Sequence, residues 1–146
     1  MARNMDGLAE IEQKKYQTVW AHEGYGNYSP GEDVAKGIKL DRIFKRLGVQ
    51  SILDAGCGSG KTMRFFLQSD PDWFDVSGLD IAQNCLDPWF AEHDLGHILQ
   101  QGSLWDPHAL ASTQFDAVVC TDVLEHIPTD KVDDVLFNLR RWSGKI

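Results

Sequence analysis

The sequence predicts a doubly wound α/β fold: a parallel sheet of about four strands with helices on both faces, preceded by two N-terminal helices. Three observations predict it. Short apolar runs of strand length recur at residues 51–55, 73–79, 97–101 and 115–120. Helical patterns alternate with most of them, and right-handed crossovers place such helices on the two faces of a parallel sheet. The first strand also runs directly into a glycine-rich loop, and in this architecture ligands gather at the carboxyl ends of the strands.

Leu8, Ile11, Tyr16, Val19 and Trp20 follow a helical stripe, which Gly24, Gly26, Asn27, Ser29, Pro30 and Gly31 break into a loop. Val34, Ile38, Leu40, Ile43, Phe44 and Leu47 keep a three-and-four spacing, predicting a second helix that ends at Gly48. After the first strand, a helix is predicted over residues 59–68, with Met63, Phe65, Phe66 and Leu67 supplying its apolar surface. The second strand ends at Asp80 and a helix is predicted over 82–93. Beyond the third and fourth strands, Thr129 and Asp130 are placed to cap a last helix whose Val132, Val135, Leu136 and Leu139 face one way, with Gly144 near its end.

The 146 residues are the size of one domain, and 42% apolar content suffices for a single core. A net charge of −8 leaves no broad basic surface to neutralise phosphates, so no nucleic acid partner is expected. Cys57, Cys85 and Cys120 are odd in number and form neither a CxxC pair nor a zinc spacing. They read as reduced, mostly buried thiols of a cytoplasmic protein. No signal-peptide core is seen at the N-terminus, and no apolar run approaches the ~20 residues of a membrane helix, so no membrane is expected.

Asp54, Gly56, Gly58 and Gly60 close the first strand, with Cys57 and Ser59 between the glycines. Backbone without Cβ atoms turns sharply and lets a ligand approach, while the next helix presents free N–H groups. A dinucleotide loop prefers G-x-G-x-x-G, and this one is G-x-G-x-G. Lys61-Thr62 echoes a P-loop ending, but the first glycine would then have to stand where Ala55 does. The P-loop match fails by one position.

Residues 51–60 (SILDAGCGSG), with 76–82 and 115–128, resemble the glycine-loop, second-strand acid and fourth-strand motifs of class I S-adenosylmethionine-dependent methyltransferases. The resemblance covers roughly residues 25–143. It implies a Rossmann-like fold, S-adenosylmethionine as cofactor, S-adenosylhomocysteine as product and no metal. It implies that Asp54, Gly56, Cys57, Gly58 and Gly60 surround the methionine part of the cofactor. Asp80 would accept from both ribose hydroxyls, and Ile81 would pack on the adenine. Many relatives have an Asp where this chain has Ser103, so adenine recognition would rest on backbone groups of Ser103 and Leu104. Trp105 would wall the adenine pocket or belong to the core.

In the same resemblance Cys120 and Thr121 would lie near the methionine portion. Glu125 would orient or solvate. His126 would be a base for a substrate hydroxyl, since an imidazole exchanges protons near neutral pH, or a positioning residue. Tyr25 and Tyr28 sit where relatives fold a segment over the cofactor, and each also reads as a packing residue. Asp54 alone reads as a helix cap, and Asp80 alone as a strand end; their placement at two strand ends favours a site.

The chain is expected to be a single domain over 1–146, with 1–48 as N-terminal helices and lid and 49–146 as the cofactor-binding core. The family's sheet has seven strands, three of them after the helix at 129–143. A C-terminally truncated domain is therefore expected, with the fourth strand left as an apolar edge unless a homo-oligomer covers it. The function expected is methyl transfer to a small-molecule or sugar-like acceptor. The alternative is a non-catalytic cofactor-binding module that needs a partner or a C-terminal half.

Overall fold

β1 (Ser51–Ala55) is the centre of a four-stranded parallel sheet in a computed structural model that describes residues 6–110 and 114–146. The first five residues of the expected N-terminal segment lie outside the described residues. β1 pairs with β2 (Asp75–Asp80) on one side and with β4 (Ala117–Val119) on the other, and β3 (Leu99–Gln101) pairs with the far side of β2. The order is therefore β3-β2-β1-β4. The chain runs outward from β1 to β3 and returns to the opposite side of β1, which makes the β1/β4 boundary the switch point.

Alternation along the strands divides the core into two layers. Ile52, Val76 and Ala117 pack on one face with Phe44, Met63, Phe66 and Phe90. Leu53, Ala55 and Leu79 pack on the other with Ala9, Val135 and Trp142. The helices that supply these residues are α1 (Gly7–Trp20), α3 (Leu40–Arg46), α4 (Lys61–Ser69), α5 (Pro88–Glu92) and α6 (Val132–Trp142), while α2 (Pro30–Ile38) packs against α4. The doubly wound α/β architecture is as expected.

Several element boundaries differ, each for a local reason. The second predicted helix is two, α2 and α3, because Lys39 adopts φ +56° and breaks the ladder between them. The helix expected over 82–93 forms only as α5: Ala82 donates its N–H to Asp80 instead, and Asp87 caps a helix that starts at Pro88. Trp73 stands outside β2 and donates its indole N–H to the Val49 carbonyl at 2.8 Å. A 3-10 turn, Gly96–Ile98, takes the start of the third predicted strand. Another, Thr129–Lys131, precedes α6 without the side-chain cap expected of Thr129 and Asp130.

The edge of β4 is not bare. Residues after α6 turn back beside it, with Gly144 N–H donating to the Phe115 carbonyl (2.7 Å) and Val118 N–H to that of Ile146 (2.9 Å). At the amino end of β4, Asp116 accepts from the N–H groups of Gln50 (2.9 Å) and Ser51 (3.2 Å), and its own N–H donates to Ser51 Oγ (2.9 Å). Among the described residues, no helix is long and apolar enough to cross a membrane.

Candidate functional site

The glycine loop is tied to β2 at both of its faces. Gly56 and Cys57 donate their N–H groups to the Leu79 carbonyl (2.7 and 3.2 Å), so the chain leaves β1 while still held to its neighbour. Gly56 then turns with φ +77°, and a Cβ there would lie 2.5 Å from Val123 Cγ2. Only glycine fits both the dihedral and the space. Farther on, Gly58 N–H donates to Asp80 Oδ2 and Ala82 N–H to Asp80 Oδ1, each at 2.9 Å. The carboxylate is thereby fixed in orientation, and it in turn fixes the loop.

Two acids face the same space. Asp54 is buried, and that burial, with the charge of Asp80 adding to it, pushes its carboxyl up to about 7. Burial also raises Asp80, against the opposing pull of N–H donors at Ala82, Gly58 and Ile81. No ion pair among the described residues engages either acid. The site therefore holds negative charge for which the protein itself supplies only backbone dipoles. The Cys120 thiol is pushed up to about 12, chiefly by burial and further by Asp54 and Glu125, and is no nucleophile.

Above the loop lies a cavity of about 370 Å³. Its wall includes Asp54, Gly56, Cys57, Gly58, Asp80, Ile81, Ser103, Leu104, Thr121, His126, Tyr25 and Tyr28, which brings together most of the residues singled out in the sequence. Cys120 and Glu125, expected near the methionine portion and beside His126, do not line it, and neither does Gly60. It takes φ +77° at the start of α4 and packs under Phe90, whose ring would lie 2.6 Å from an added Cβ. Gly60 turns the chain and does not face the cavity, because Phe90 occupies the space beside it.

Ser103 and Leu104 are buried, and the Leu104 carbonyl accepts from Asn138 Nδ2 of α6 at 2.9 Å. Trp105 is a buried core residue and also part of the cavity wall, with its indole N–H 3.3 Å from Asp6 Oδ2. Tyr25 and Tyr28 belong to the cavity mouth, although Tyr28 is 72% exposed. His126 is exposed at the same mouth, with the Tyr16 ring edge-on at 6.4 Å. Beside it, hydrogen bonding to Glu125 raises the Asp122 carboxyl, while a backbone N–H and Asp122 hold Glu125 down.

Sequence reasoning missed the contribution of α1. Glu12, Tyr16 and Trp20 all line the cavity. Trp20 sits over the loop, its ring 2.8 Å from where a Cβ on Gly58 would stand, and packs edge-on against Tyr25 with centroids 4.8 Å apart. The available signal was the i, i+4 pair of large aromatics, Tyr16 and Trp20, on one helix face. His22, His93, His97 and His108, read as ordinary, are absent from the cavity wall.

Residues 52–144 match the family described as "Methyltransferase domain". No curated protein matches the sequence. Among solved structures, the chain is similar to DhpI in a complex with SAM and HEP, at 22% identity over 97% of this chain and 64% of that one, TM-score 0.64. It is similar to CalS10, an amino pentose methyltransferase from Micromonospora echinaspora, at 21% identity over 99% and 55% of the two chains, TM-score 0.57. It is similar also to the magnesium protoporphyrin IX methyltransferase of Synechocystis PCC 6803, at 16% identity over 99% and 74%, TM-score 0.57. At these identities the likeness is one of fold, and the chain spans less than two thirds of the length of the first two. The family match covers well over half of the sequence, with the glycine loop and the strand-end acids inside it, and the chain belongs to the methyltransferase domain family.

Proposed function

We propose that this chain binds S-adenosylmethionine in the cavity beyond β1, β2 and β4 and serves methyl transfer to a small-molecule acceptor, leaving S-adenosylhomocysteine. The observation that carries the reading is the carboxylate of Asp80. Each of its oxygens takes one backbone N–H and keeps lone-pair capacity for a pair of vicinal hydroxyls. The cavity fits as well: about 370 Å³ lies within the ~300–1,000 Å³ of small-ligand sites, and the loop beneath it has no room for a Cβ at Gly56.

When bound, S-adenosylmethionine supplies a methyl group made electrophilic by its sulfonium. The chain does the rest by position. Asp80 holds the ribose, Ile81 and Leu104 flank the adenine, and backbone groups of Ser103 and Leu104 meet its edge. Asp54 lies where an ammonium group supplies the positive charge the site lacks. Trp20, Tyr25 and Tyr28 cover the mouth and exclude water, and their ring faces suit a sulfonium. His126, at the mouth, takes the proton of an acceptor hydroxyl or amine as the methyl is transferred.

A small acceptor is supported by the aromatic side chains of Tyr16, Trp20, Tyr25 and Tyr28 around the cavity, by the net charge of −8, and by the likeness to an amino pentose methyltransferase. A second reading is favoured by one observation, the 55–64% of two similar chains that this one spans: cofactor binding here, with the acceptor site completed by other sequence. Calorimetry with S-adenosylhomocysteine followed by turnover on a panel of sugars, amines and phenols separates the two. Binding with turnover supports the enzyme, binding alone the module, and ATP binding without S-adenosylhomocysteine binding refutes both. In the enzyme, His126→Ala lowers turnover by roughly 10²–10⁴-fold with little change in cofactor affinity.

A further inference from the structure

Cys57 and Cys85 have no metal-binding spacing in the sequence, yet the fold brings them together. The loop after β2 turns back under the glycine loop, held by Ala82 N–H on Asp80 (2.9 Å) and by Asp87 N–H on the Ser59 carbonyl (3.0 Å). Cys57 Sγ, Cys85 Sγ and a carboxylate oxygen of Asp80 then lie within 4.8 Å of one another. Both cysteines are free and buried. Met63 adds a third sulfur nearby: its Sδ and Cys57 Sγ each lie 2.8 Å from where a Cβ on Gly78 would stand.

Tetrahedral zinc takes sulfur at ~2.3 Å and carboxylate oxygen at ~2.0–2.2 Å, which places ligand atoms roughly 3.5–3.8 Å apart. From separations within 4.8 Å, the three groups reach that arrangement by closing in by at most roughly 1.0–1.3 Å, a scale of side-chain adjustment. Two thiolates and one carboxylate select Zn²⁺ over Mg²⁺ or Ca²⁺, which prefer an all-oxygen set. Cys57 and Asp80 are on the cavity wall, so an ion they hold would lie against the cofactor cavity. A divalent cation would also neutralise charge at a site where no ion pair among the described residues engages Asp54 or Asp80.

We infer that Cys57, Cys85 and Asp80 form a Zn²⁺ site whose occupation closes the cofactor cavity, making the free metal an inhibitor. Binding exchanges the two thiol protons for the ion and passes them to solvent; no oxidant takes part. Inhibition follows because Asp80 cannot serve the metal and the ribose at once, a step that rests on the cofactor reading proposed above.

The test titrates the reduced chain with Zn²⁺, and with Co²⁺ as its spectroscopic substitute. About one equivalent is expected to bind with release of about two protons and a thiolate-to-cobalt charge-transfer band. The loaded protein loses S-adenosylhomocysteine binding, and a chelator restores it. Cys85→Ser, checked by its melting curve alongside Cys85→Ala, removes a ligand outside the cavity wall. It is expected to weaken Zn²⁺ by more than the roughly 10- to 100-fold that loss of an outer-shell partner costs, and to leave S-adenosylhomocysteine affinity intact. Absence of the thiolate band, or binding lost in His126→Ala and kept in Cys85→Ser, overturns the site, the latter by moving the metal to the exposed Asp122, Glu125 and His126. Simultaneous binding of Zn²⁺ and S-adenosylhomocysteine overturns the inhibition. If metal-free protein fails to bind S-adenosylhomocysteine, the cofactor reading falls and inhibition falls with it, while the Co²⁺ and Cys85 results still decide the site.

Discussion

Replacing Asp80 with alanine is the sharpest probe of the cofactor site. The side chain accepts two backbone N–H groups, from Gly58 and Ala82, and in the proposed complex two ribose hydroxyls as well. Hydrogen bonds to a charged acceptor contribute ~1.5–3 kcal/mol each, so with imperfect additivity the two ribose bonds account for ~2–4 kcal/mol. At 1.4 kcal/mol per tenfold, the dissociation constant for S-adenosylhomocysteine rises roughly 30- to 700-fold. The fold is affected far less. Loss of the two backbone bonds is offset by removing a charge that burial disfavours and that stands against Asp54. Calorimetry and a melting curve on the same sample therefore dissociate: binding collapses while the transition temperature moves little. Affinity within about threefold of the parent, in a variant that still melts cooperatively, refutes the assignment of Asp80 to the ribose.

Other expectations concern the surroundings of that carboxylate. Asp54 is held up at about 7 against an ordinary 3.8, so between those values the folded chain carries a proton that the unfolded chain has released. The stability this group contributes is full below pH 3.8 and lost as pH rises through about 7, at most roughly 4 kcal/mol; Asp54→Asn should flatten that fall in melts across the range. Gly56→Ala forces a positive φ on a side chain and drives its Cβ into Val123, costing about 1–3 kcal/mol. Adding Val123→Ala should recover the steric part and leave the dihedral part, as read from denaturant midpoints. Asn138→Leu strands the buried Leu104 carbonyl and should cost about 1–3 kcal/mol in chemical denaturation; an unchanged midpoint would show that the bond is dispensable.

The legible part of this molecule was local. β1 could be read to the residue because a short apolar run meets three glycines at alternate positions, and Asp54 and Asp80 stood out because each stands at the end of such a run. The helix over 82–93 was misread because apolar periodicity says nothing of a carboxylate two residues back capturing an N–H. Lys39 was invisible for a similar reason: the stripe passes through it unbroken although the backbone reverses sign there. Gly60 shared the spacing of its neighbours and was assigned their role, yet its empty side is filled by Phe90 from a later helix. Trp20 over Gly58 and Cys85 beside Cys57 are long-range meetings with no periodic trace, so only the folded chain displays them.

Asp116 ties β4 to the start of β1 by three bonds at the end of the sheet away from the cavity. A strand of three residues with both faces packed has little of its own to resist sliding by one position, and such a slip would exchange the layers that Ala117 and Val118 enter. The carboxylate acts as a stop against that slide. It thus sets how far Thr121, Val123 and His126 reach past the glycine loop. A lesion at the remote edge of the sheet can therefore disarm the cofactor pocket without touching a residue that lines it.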